Sequence, residues 1–87
     1  VHSSFYLRLL VSDQAGVLAE ITRILADYDI SIEAIQQKEP AEEGAHVPVV
    51  LLTGDVTTGA MNAAQAKLQQ LASVQALIVR FNVEHFA

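Results

Sequence analysis

The sequence predicts an α+β sandwich with elements in the order β-α-β-β-α-β, a four-stranded antiparallel sheet carrying two helices on one face. Two stretches repeat apolar residues at three- and four-residue spacing, as helices do, and four others alternate or run apolar as strands do. Clusters of Gly, Pro, Asp and Ser punctuate them. Of the 87 residues, 52% are hydrophobic, enough for one small core.

The first strand runs from Phe5 to Val11, with Phe5, Leu7, Leu9 and Val11 on one face and Tyr6, Arg8 and Leu10 on the other. The turn Asp13-Gln14-Ala15-Gly16 leads into a helix from about Val17 to Tyr28, where Val17, Leu18, Ile21, Ile24, Leu25 and Tyr28 form one apolar stripe. The second strand covers Ile30 to Lys38, with Ile30, Ile32 and Ala34 facing one way and Ser31, Glu33, Ile35 and Gln37 the other. Residues Glu39 to Ala45 hold Pro40, Gly44 and three carboxylates and read as an exposed hairpin loop. Val47 to Thr53 is almost wholly apolar, as a central strand covered on both faces would be, and Pro48 weakens pairing near its start. Thr57 or Thr58 caps the second helix, whose stripe is Met61, Ala64, Leu68 and Leu71 and which ends near Ala72. In the last strand Leu77, Val79, Phe81 and Val83 take the core side and Ile78, Arg80, Asn82 and Glu84 the other. The patterned region, about 5–84, makes a single domain of the chain.

Two split β-α-β units of this length form the ferredoxin-like arrangement, which leaves one sheet face without cover. Leu10, Ile35, Val50, Leu52 and Ile78 fall on that face in the registers above, and such an apolar patch implies a subunit or domain interface. With no cysteine there is neither disulfide nor thiolate metal site to staple so small a chain, which favours a partner subunit. No apolar run approaches the roughly 18 residues of a membrane span, and the N-terminus lacks a signal-peptide pattern. A soluble, cytoplasmic protein is expected.

The formal charge of −5, with five Lys and Arg, argues against a phosphate backbone as partner. RNA-binding versions of the fold need aromatics on a central strand, and Val47 to Thr53 has none. His2, His46 and His85 lack a metal-ligand spacing. Ser3, Ser4, Ser12, Ser31 and Ser73 have no neighbouring His and acid to activate them, and Glu39, Glu42 and Glu43 read as a solvated loop. No catalytic or metal-binding residue is assigned. An acylphosphatase-like activity would need an arginine in the first loop, where Gln14 stands.

The first turn is different. At a helix start the backbone N–H groups are unpaired and the dipole favours a negative group, so a carboxylate can dock there. Gly16 permits close approach, and Asp13 is placed to receive an ammonium group or to cap the helix; an α-amino acid carries both charges. The competing reading is that Asp13 and Gly16 simply make the turn.

The segment Asp13-Gln14-Ala15-Gly16-Val17-Leu18-Ala19-Glu20-Ile21, followed by Ile30-Ser31-Ile32-Glu33, resembles the signature of ACT domains. With Gln37-Lys38-Glu39-Pro40 and Val47-Pro48-Val49-Val50-Leu51-Leu52-Thr53 added, the chain resembles the C-terminal regulatory domains of homoserine dehydrogenases. The resemblance implies an effector-binding set of Asp13, Gln14, Ala15, Gly16, Val17 and Leu18, with Ser31 reaching in from a neighbouring chain. It further implies a homodimer or higher oligomer through the sheet, threonine as allosteric effector with its hydroxyl met by Gln14 or Ser31, and a catalytic domain elsewhere that uses NAD(P). No Gly-rich dinucleotide turn occurs in these residues, so the chain reads as a fragment with no cofactor of its own. Ala15 stands where the family often has Pro, and Asp29 and Ser31 where it often has Gly or Asn. A purely architectural module that only holds an oligomer together is the alternative.

Overall fold

The computed structural model describes residues 2–12, 15–40, 42 and 44–83. β1 (His2–Val11) buries Phe5, Leu7, Leu9 and Val11 almost completely, as its alternation requires. α1 (Val17–Asp27) buries Val17, Ile21 and Leu25. It stops because Asp29 turns left-handed at φ 60°, so that the Ile30 N–H donates to the Leu25 carbonyl at 2.9 Å and the Asp29 N–H to that of Ala26, also at 2.9 Å. This double closure satisfies helix-end carbonyls and brings two buried apolar residues, Ile30 and Leu25, together.

β2 (Ile32–Gln37) is an edge strand against β3 (Val47–Thr53), which pairs on its other side with β1. The Glu39–Ala45 connection is exposed at Glu39, Glu42 and Gly44, and Gly44 turns at φ 82°. A two-residue β4 (Val56–Thr57) pairs with His2 and Ser3, making a fifth strand that the sequence pattern does not reveal. The Thr57 hydroxyl then caps α2 (Thr58–Gln69) by accepting from the Ala60 N–H at 3.1 Å. α2 ends at Gln69 rather than near Ala72, because Leu71 and Val74 donate only three residues back, to Leu68 and Leu71, and tighten the chain out of the helix. β5 (Val79–Val83) lies against β1 on the side away from β3, so the main path across the sheet is β2-β3-β1-β5.

One core holds the layers together: Ile21 and Leu25 of α1, Met61, Ala64 and Leu68 of α2, and the inward residues of β1 and β3. Each fully buried side chain of this kind is worth about 1.5–3 kcal/mol relative to exposure. Two charged or hydroxyl groups at the sheet's end are also tied in. Thr53 Oγ1 accepts from the Phe5 N–H at 3.0 Å, and the buried Ser4 hydroxyl donates to Asp55 at 3.2 Å.

The edge strands depart from the expected registers. In β5 the faces are reversed: Ile78 is buried, whereas Leu77, Val79 and Phe81 are 85%, 43% and 60% exposed. Pairing sets this, since Arg80 stands opposite Leu7 on the helix side and Phe81 opposite Tyr6 on the other. Arg80 stays inside by laying its guanidinium over the Phe5 ring, 5.0 Å from the centroid, and bonding to α2. In β2 an irregularity between Ile32 and Ala34 shifts the alternation by one. Ile32 pairs with Thr53 and Ile35 with Leu51, both helix-side residues, while Ala34 pairs with Leu52 on the outer face. Ile35 and Ile78 therefore leave the expected outer patch, and Val79 and Phe81 join Leu10, Val50 and Leu52 there. The Tyr6 and Phe81 rings meet at 6.0 Å on that face, and no element of the described residues covers it.

Candidate functional site

The first turn opens on the largest consequence of the fold for chemistry. Gly16 is the N-cap of α1 at φ 85°, ψ −4°, a left-handed conformation that side chains disfavour. A glycine cap has no oxygen to offer, so no N-cap side chain bonds the helix start. The helix hydrogen-bond pattern begins with the Glu20 N–H donating to the Gly16 carbonyl at 3.0 Å. The N–H groups of Val17, Leu18 and Ala19 precede it and have no partner within a helix of this geometry.

These groups border a cavity of about 360 Å³ between α1 and the end of the sheet, with Val11, Ser12 and Val49 as floor and Gln37 of β2 opposite. Small-molecule pockets run from roughly 300 to 1,000 Å³, so this one suits a small ligand. Among the described residues its lining side chains are apolar except for the Ser12 hydroxyl and the Gln37 amide. Ser12 is held by Ser73, whose carbonyl accepts from the Ser12 N–H at 2.8 Å. The site can take an anion at the helix start and an apolar group against Val11, Val17 and Val49.

Ala15, Gly16, Val17 and Leu18 thus line one cavity. Ala15 and Gly16 are exposed, Val17 is buried, and Leu18 packs partly against the core. Asp13 and Gln14 lie outside the described residues. Ser31 is exposed at the opposite end of β2, where its carbonyl accepts from the Gly54 N–H at 2.9 Å. Within one chain it does not approach the cavity. Gln37 is the residue that sequence reasoning missed; only the shifted register of β2 turns it toward Val49. Among the described residues no three His, Asp or Glu side chains gather as a metal site. Nor is any helix there long and apolar enough to cross a membrane.

Comparison with known proteins gives this geometry its context. The model of the ACT domain matches residues 5–70, three quarters of the chain. The chain belongs to the ACT domain family. This ACT domain is 42% identical over 82 residues, 94% of its length, to a homoserine dehydrogenase of Pseudomonas aeruginosa, and covers 19% of that protein. It is similar, at 43% identity and a TM-score of 0.85, to the crystal structure of a homoserine dehydrogenase from Thiobacillus denitrificans, matching 97% of this chain and 18% of that one. The ACT domain from a GTP pyrophosphokinase of Chlorobium tepidum superposes over 93% of this chain and 100% of its own length, with a TM-score of 0.72 at 17% identity, a likeness of fold alone. The ACT domain spans about a fifth of the length of the curated relatives it matches.

Proposed function

We propose that this ACT domain senses an end-product amino acid, threonine, for a homoserine dehydrogenase whose catalytic domain lies outside these residues. The observation that carries the reading is the start of α1, left without a side-chain cap among the described residues, over a cavity of amino-acid size. The ligand's carboxylate caps the Val17, Leu18 and Ala19 amides, as a capping side chain would, and gains from the helix dipole. None of the described lining residues is acidic, so the ammonium group falls to Asp13 or to a neighbouring subunit. The ligand's side chain rests on Val11, Val17 and Val49, and its hydroxyl meets Gln14, Gln37 or a neighbour's Ser31. The relatives support the enzyme assignment, since homoserine dehydrogenases match across 94–100% of the chain at 37–42% identity.

Regulation requires that the effector bind one arrangement of the assembly better than another, and a typical coupling of about 1–3 kcal/mol changes affinity roughly five- to 150-fold. The outer sheet face, with Tyr6, Leu52, Val79 and Phe81, supports pairing of two copies through the sheet. The nicotinamide cofactor NAD(P) belongs to the missing catalytic part. Isothermal titration with threonine, and with isoleucine, methionine, lysine and serine as comparators, tests the reading alongside sedimentation mass. Saturable binding selective for threonine by a dimer is expected. A dimer that binds none of the five overturns sensing and leaves an architectural module.

A further inference from the structure

The far side of the domain is chemically unlike the rest. Residues 56–83 contain no Asp or Glu, and Lys67 and Arg80 are their only charged side chains, in a chain whose formal charge is −5. Arg80 sits on β5, at the edge of the sheet opposite to Gln37. Its Nη1 donates to Asn62 Oδ1 at 2.7 Å and to Gln65 Oε1 at 3.1 Å, and the guanidinium lies over Phe5.

Those two bonds fix the amides. A guanidinium has donors only, so each amide must turn its oxygen toward Arg80 and its NH₂ away. Gln69, one turn further along α2, is occupied on both ends: its Nε2 donates to the Ala76 carbonyl at 2.8 Å and its Oε1 accepts from the Ile78 N–H at 2.9 Å. It acts as a brace holding the segment that leads into β5 to α2. Asn62, Gln65, Ala66, Gln69 and Arg80 surround an open depression of about 400 Å³. Three amide side chains and the guanidinium-bearing Arg80 are among its lining, without a carboxylate among the described lining residues. An Arg fork held this way ordinarily meets a carboxylate or phosphate. Here it meets neutral oxygens, and its charge stays uncompensated by them.

We propose that Arg80, Asn62 and Gln65 form a second binding site, for an oxyanion of the carboxylate or phosphate class. Arg80 supplies the charge through the guanidinium N–H groups not given to Asn62 and Gln65, and the NH₂ groups of those two amides, whose oxygens are taken up by Arg80, add further donors. Phe5 and Gln69 keep the guanidinium and β5 in place. The site shares no described lining residue with the cavity at Gly16.

Titration of the full chain with inorganic phosphate, and separately with acetate, at constant ionic strength tests this by NMR of side-chain N–H signals. Saturable shifts of the Arg80 Nε–H and of the Asn62 and Gln65 NH₂ groups are expected. In Asn62→Asp the new carboxylate keeps an acceptor beside Arg80 and supplies a resident anion, so phosphate should bind at least about tenfold more weakly with the backbone spectrum unchanged. Arg80→Gln should abolish the response. A response to phosphate alone supports the site with phosphate as its ligand group; a response to acetate as well supports it with a carboxylate. Absent or non-saturating shifts, or equal binding by Asn62→Asp, overturn it.

Discussion

The two helices occupy equivalent places in the fold and begin in opposite ways. α2 starts at Thr57, whose hydroxyl takes an orphan N–H; α1 starts at a left-handed glycine that takes none. Their exits differ too. α1 leaves through a complete double closure at Asp29 and Ile30, whereas α2 unwinds through three-residue turns toward Ser73, whose buried hydroxyl has no partner among the described residues. Both are anchored in the same core. The difference teaches that the open start of α1 is not a general weakness of this small domain: where the chain needs only structure, it caps the helix itself.

If the helices are anchored alike, Leu25→Ala and Leu68→Ala should cost similar amounts, about 2–5 kcal/mol each in urea unfolding. A much smaller loss at either position would break the symmetry of the comparison. Gly16→Ala places a side chain at φ 85° and should cost about 1–2 kcal/mol, although its Cβ meets nothing within 4 Å. A conformational penalty without a clash is the sharpest evidence that the backbone shape was kept for its own sake. Thr57→Ala should lose about 1 kcal/mol by thermal unfolding and leave threonine affinity unchanged. A change in that affinity would mean that the two helix starts are coupled. Ser73→Ala should be neutral or stabilising by up to about 1 kcal/mol, because it removes a buried hydroxyl that has no partner among the described residues.

Legibility followed position in the sheet. β1 and β3 are central, and their alternation or apolar run placed both strands, with β3 spanning the expected Val47–Thr53 and β1 beginning at His2 rather than at Phe5. α1 showed its buried stripe plainly, since one face meets the core and the other water. The edge strands misled. In β5 both faces carry apolar residues, and Arg80 is an unpromising inward residue until Asn62, Gln65 and Phe5 are seen to receive it. In β2 one irregular residue near Glu33 reverses the following alternation, and nothing in Ile32-Glu33-Ala34-Ile35 announces it. The candidate site divides likewise. Gly16 and the open helix start were readable, because they are local features of a turn; Gln37 was not, because its approach depends on that shift.

The central claim is that the α1 amides receive the carboxylate of a free amino acid. The most direct test follows the Val17, Leu18 and Ala19 amide resonances while titrating threonine and, separately, threoninol, which keeps the ammonium and side chain but lacks the carboxylate. The account predicts saturable shifts of these three amides with threonine and none of comparable size with threoninol. Equal shifts with both, or none with threonine, would contradict it.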